Sequence, residues 1–216
     1  MAGGDLRPPL SVRARFERLP ATLKGAFILR GEDADPHQVE FRGASIVGVG
    51  TDVRVPLPIA AASLDAAPHR DVFVPFEAAI GELGPGWYTL QAELEVDGTV
   101  SSFDGGRRFA VAWPRATVRR GQVRIDRAVT VRGTTVHLDH VELGGDSAKL
   151  HVRTDPPGEV AVSVLADGDR LEQLELEHDE SSGRSTVTTY PVLRAHRSLR
   201  FDVRGGAEPV DVPLPE

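Results

Sequence analysis

The sequence predicts an all-β protein built as two tandem antiparallel β-sandwiches, and three observations carry that prediction. First, apolar and polar residues alternate through many segments. The plainest case is Tyr88, Leu90, Ala92, Leu94 and Val96 against Trp87, Thr89, Gln91, Glu93 and Glu95. A period of two marks strands buried on one face. Second, 22 glycines and 16 prolines are spread along the chain, as turns between short strands require. Third, 216 residues suffice for two domains of about 100 residues, each able to bury a core.

Taken in order, Leu10, Val12, Ala14 and Phe16 share one face of an opening strand, and Leu23 to Leu29 reads as the second. The polar loop Gly31 to Pro36 interrupts the pattern, which resumes over Val39 to Val47. Val53, Val55, Leu57 and Ile59 share a parity, while Pro56 and Pro58 assign that segment to an irregular edge. Val72, Val74 and Phe76 form a short strand, and Phe76 to Leu83 has room for one helical turn. The Tyr88 strand ends at the tight-turn pair Asp97-Gly98. A last strand carries Phe109, Val111 and Trp113 against it in the first core.

The second half offers strands at Thr117 to Ile125, Thr135 to Leu143, Ala148 to Thr154 and Val160 to Leu165. Leu171 to Glu177, Ser185 to Leu193, Leu199 to Val203 and Val210 to Leu214 follow, with turns at Gly144-Gly145, Asp167-Gly168 and Ser182-Gly183. The seam is placed at Trp113-Pro114, giving domains 1–113 and 114–216.

The segment Leu83-x-Pro85-Gly86-x-Tyr88-x-Leu90 resembles the corner before the sixth strand of immunoglobulin-like and fibronectin type III sandwiches. That resemblance implies a Tyr88 hydroxyl bonded back to the turn, with its ring in the core beside Leu83. The immunoglobulin disulfide is missing, since the chain has no cysteine, and Trp87 and Trp113 lie outside the strand that carries the family's buried tryptophan. The same Leu83 to Tyr88 corner followed by Val96-Asp97-Gly98 is also similar to β modules attached to bacterial cell-wall glycosyltransferases, where they mediate assembly.

Composition excludes several chemistries. A net charge of −7 disfavours nucleic acid as a partner. The lack of cysteine removes disulfides, thiol nucleophiles and zinc-thiolate sites. Met1 to Phe16 carries no apolar run of signal type, and no window has membrane-spanning length, so a cytoplasmic location without membrane contact is expected. Gly48-Val49-Gly50-Thr51-Asp52-Val53 lacks the third glycine and the following helix of a dinucleotide loop. Gly43-Ala44-Ser45-Ile46-Val47 likewise lacks the second glycine of a nucleophile elbow. No catalytic residue and no cofactor is therefore assigned.

His137, Asp139, His140 and Glu142 form the densest set of metal-ligating side chains. A continuous strand divides them between two faces, and only a bulge near Asp139-His140 brings them together. Solvent-facing strand residues are the expectation there. Glu32, Asp33 and Asp35 make an acidic loop with too few oxygens for calcium.

Charge is segregated in the second half. Arg115, Arg119, Arg120, Arg124, Arg127 and Arg132 face only Asp126 between residues 115 and 134, a net +5. Residues 167 to 180, including Glu172, Glu175 and Glu177, carry a net −6. Two solvated strand faces are the plain expectation for these segments; complementary surfaces, within the second domain or between protomers, stay open beside it. A non-catalytic binding or assembly module acting on a protein partner or on itself is the first functional expectation. A glycan-binding or glycosyltransferase-accessory module stacking sugars on Trp87 stays open beside it, as does a hydrolase using strand-borne carboxylates.

Overall fold

A computed structural model describes residues 9–59, 63–206 and 208–215. It is all-β with several antiparallel sheets, and no described residue is helical. The chain divides into two compact units between Val111 and Ala112.

The first unit runs β1 (Leu10–Arg18), β2 (Thr22–Gly31), β3 (His37–Gly48), β4 (Arg54–Pro56), β5 (Ser63–Ala66), β6 (Asp71–Ala79), β7 (Gly86–Val96) and β8 (Thr99–Val111). One sheet has the order β1-β2-β6; the other has β4-β3-β7-β8, with β5 also beside β3. Alternation decides what each strand buries. Leu10, Ala14 and Phe16 of β1 meet Leu23, Phe27 and Leu29 of β2 in a core shared with Phe41, Ile46, Leu90 and Leu94. Phe27 lies 5.9 Å from Phe41 and 5.4 Å from Phe76, and Phe16 meets Phe109 edge-on at 5.6 Å. The Phe27–Phe41 and Phe16–Phe109 pairs tie the two sheets together, while Phe27–Phe76 packs neighbours within one sheet. The Tyr88 ring stacks on Phe109, and its hydroxyl donates to the Gly84 carbonyl at 2.8 Å.

Two expectations for this half are corrected. No helical turn forms over Phe76 to Leu83: Phe76 and Ala78 continue the inward parity of Val72 and Val74, so β6 stays extended to Ala79. Trp113 is not part of the first core. It follows the end of β8 and sits edge-on to Tyr190 at 5.5 Å in the second unit.

The second unit runs β9 (Gly121–Val131), β10 (Thr134–Leu143), β11 (Ala148–Asp155), β12 (Val162–Ala166), β13 (Asp169–Arg170), β14 (Gln173–Asp179), β15 (Arg184–Thr189), β16 (Ser198–Val203) and β17 (Val210–Pro213). A five-stranded sheet has the order β14-β15-β11-β10-β9, and a four-stranded sheet has β13-β12-β16-β17. Val136, Leu138, Leu150 and Val187 of the first and Val164, Leu199 and Phe201 of the second fill one core. Strand β9 begins at Gly121, not Thr117, which lies in a turn, and it runs past Ile125 to Val131; Asp126 adopts a left-handed backbone (φ 48°) at the register shift against β10.

Candidate functional site

The middle of the basic segment and the end of the acidic one become the two edges of one sheet; Asp169 lies in β13 of the other sheet. Strand β9 is one edge of the five-stranded sheet and β14 is the other, with β15, β11 and β10 between them. Four strand spacings separate them by about 19 Å, more than the roughly 8 Å over which salt at physiological strength screens charge. Pairing between these two edges inside one copy is therefore ruled out, which leaves contact between protomers as the form of complementarity these strands can serve.

Not every charge in those segments is available. Arg119 is a structural residue: its guanidinium donates to the carbonyls of Arg194 (3.2 Å), His196 (3.0 Å) and Pro215. Arg194 in turn donates to the Val118 carbonyl at 3.3 Å. Arg119, Arg120, Arg194 and Arg197 line one cleft of about 590 Å³ with Gln122, and among the described residues no acidic side chain lines it. Arg115, Arg120 and Arg127 are exposed; so is Arg124, whose guanidinium pairs with Asp126.

On the acidic side, Asp167 accepts from the Arg197 and Ser198 amides at 2.9 and 2.8 Å, which lowers its pKa. Asp179 accepts from the Ser181 and Ser182 hydroxyls and the Ser181 amide, which holds its pKa near about 2. Both carboxylates are occupied in turns. Glu175 and Glu177 are left as exposed acids of β14, and Glu172, also exposed, immediately precedes it.

Between the edges lies a second constellation. The β10 register shifts between Leu138 and His140 against both neighbours, so a bulge does form at Asp139. Leu138 points inward before it and Val141 after it, which turns His140 and Glu142 to the same outer face. His151 of β11 stands opposite His140, and their rings stack at 4.4 Å and 19°. The Glu142 Oε1 atom lies 3.8 Å from His140 Nε2 and 3.6 Å from His151 Nε2. His137 pairs in register with Arg153, and neither it nor Asp139 belongs to this group of three. His151 was missed in the sequence, although counting back through the Gly144-Gly145 hairpin from Leu143 opposite Ala148 brings it to His140.

In the first unit, His37 is clasped between two carboxylates. Its Nδ1 lies 2.6 Å from Asp97 Oδ2 and its Nε2 lies 2.7 Å from Asp33 Oδ1. Asp97 first, then Asp33, raises the His37 pKa, and His37 lowers both carboxylates. The acidic loop thus has a proton-bearing partner. The Ser11 hydroxyl donates to Glu32 at 2.5 Å.

Trp87 is half-buried on the outward parity of β7, opposite Ala110 of β8. Ser45 lies within β3, and its hydroxyl accepts from Arg54 at 3.3 Å. Val49 and Gly50 turn the chain between β3 and β4.

No protein-family model and no curated protein matches the chain. Among solved structures it is similar to the crystal structure of the conserved domain protein from Bacillus anthracis, at 12% identity and a TM-score of 0.35. That likeness covers 97% of this chain and 88% of the other. A likeness of that size carries no argument about fold or function.

Proposed function

We propose that the protein is a non-catalytic assembly module whose partner is another copy of itself, joined edge to edge through the five-stranded sheet of the second unit. The carrying observation is that one sheet ends in an arginine-bearing strand on one side and a glutamate-bearing strand on the other. An edge strand presents unpaired amides and carbonyls, so it is a template for another strand. The exposed charges select which edge docks. Joining β9 to β9 sets arginines against arginines, and joining β14 to β14 sets glutamates against glutamates. Only β9 against β14 brings unlike charges together.

That pairing is head-to-tail, so it builds rings or open rows and not two-fold dimers. Exposed ion pairs contribute about 0–1 kcal/mol each; they steer the encounter, while strand hydrogen bonds hold it. With this reading goes an immunoglobulin/fibronectin III-like identity for the first unit. The Tyr88–Gly84 hydrogen bond and the placing of three strands against the β3-β7-β8 sheet support it.

Sedimentation at two ionic strengths tests the assembly reading. At about 0.01 M salt, where charges act over roughly 30 Å, the expected mass exceeds the 23.3 kDa monomer. At about 1 M salt it falls back toward that value. A monomer under both conditions, at every concentration up to the solubility limit, contradicts the reading.

A further inference from the structure

We infer that His140, Glu142 and His151 hold a divalent transition-metal ion on the outer face of the five-stranded sheet. This is independent of the assembly reading. The bulge at Asp139 is what makes the site. Without the extra residue, either His140 and Glu142 point outward or the Val136, Leu138 side of the strand points inward, but not both. With it, β10 keeps Val136, Leu138, Val141 and Leu143 in the core and still presents His140 and Glu142 to the same side as His151.

One ligand atom from each of the three side chains lies within 4.8 Å of the others. A tetrahedral zinc ion with bonds of about 2.0–2.2 Å sets its ligand atoms roughly 3.4 Å apart. The two glutamate-to-histidine separations, 3.6 and 3.8 Å, are already close to that. The imidazole pair, stacked at 4.4 Å, closes by tilting the rings toward each other.

A second observation points the same way. The Nε2 atom of His151 is buried and has no hydrogen-bond partner. An unsatisfied ring nitrogen is costly where water cannot reach it, and coordination satisfies it. The Glu142 acceptor, Oε1, lies at 3.6 Å, beyond hydrogen-bond distance; in register, Lys149 stands opposite Glu142, Arg124 stands opposite His140 with its guanidinium on Asp126, and Thr186 stands opposite His151.

The donor set selects the ion. Two imidazoles and one carboxylate suit Zn²⁺, Ni²⁺ or Cu²⁺, whereas Ca²⁺ and Mg²⁺ require mostly oxygen donors. Three protein ligands on a half-exposed face leave at least one coordination position open to solvent, and through it to a further donor. Lys149 is the competitor for Glu142, and the metal must displace any contact between them.

Isothermal titration of tag-free, full-length protein with ZnCl₂, and separately with MgCl₂, tests the site. One equivalent of Zn²⁺ and no Mg²⁺ response are expected, together with a rise in melting temperature, since an ion bound by the folded state alone stabilises it by mass action. Tetrahedral Co²⁺ absorption gives a second readout. His151→Ala and Glu142→Gln each weaken Zn²⁺ binding at least about ten-fold, because losing a ligand costs more than the outer-shell changes that already cost 10–100-fold. His137→Ala leaves binding unchanged. All three side chains face away from the core, so circular dichroism of the variants should match the parent. No zinc uptake by the folded parent overturns the proposal, as does uptake that persists undiminished in folded His151→Ala.

Discussion

His37 shows how a single buried side chain can make stability depend on pH. Its pKa is raised by Asp97 and Asp33, so its contribution is full below the unfolded histidine value, near about 6.5, and is lost as pH rises through the higher folded value. The Asp33 and Asp97 values are lowered, so theirs is full above the unfolded aspartate value, near about 4, and is lost as pH falls through the lower folded values. The clasp is therefore at full strength between about pH 4 and pH 6.5. Thermal melts of the parent and His37→Gln should differ most in that window and converge on both sides of it; a difference that is flat in pH contradicts the clasp. Core residues behave more simply. Leu94 is fully buried, so Leu94→Ala should lose about 2–5 kcal/mol in urea unfolding. A parent-like midpoint places its side chain elsewhere. The inward parity of Leu94 and Tyr88 was legible because every second residue of that strand is apolar. The His37 clasp was not, because Asp97 is 60 residues away in sequence and only the β3–β7 register brings them together.

At the scale of elements, strands are placed by small residues and by long side chains that reach across. Gly25 is an instance. A Cβ there would lie 2.2 Å from the Arg15 carbonyl and 2.7 Å from the Phe16 Cα, so β1 can lie against β2 only over a glycine. Gly25→Ala should push β1 outward, disturb the Arg107 guanidinium that donates to the Phe16 carbonyl and stacks on its ring, and lower the melting temperature. An unchanged melt means the strands separate freely at that point. Arg119 plays the equivalent part in the second unit, gathering three carbonyls. Arg119→Lys should cost about 2–3 kcal/mol, since lysine keeps the charge but loses the planar fork. If the substitution instead leaves stability intact and alters only association, Arg119 belongs to the docking surface. Most strands were legible from alternation and turn residues. The continuation of β9 beyond Ile125 was not, because Asp126, Arg127 and Ala128 are three exposed residues in a row before Val129 and Val131 resume the inward parity. The bulge at Asp139 was readable only as a shift in parity, while the face it creates needed the β11 register to be seen.

For the molecule as a whole, the sequence displayed two charged segments without their relation. Read from the sequence they are two solvated faces or two partners, and strand order places their β9 and β14 portions at opposite edges of one sheet. That order turns a statement about composition into one about association, in which each copy offers a basic edge and an acidic edge. The most direct test mixes two variants. Glu175→Arg with Glu177→Arg gives a chain whose two edges are both basic, and Arg124→Glu with Arg127→Glu gives one whose two edges are both acidic. Sedimentation at low salt should find each variant monomeric by itself and the equimolar mixture assembled. A mixture that stays monomeric while the parent associates, or variants that associate as the parent does, contradicts edge-to-edge pairing.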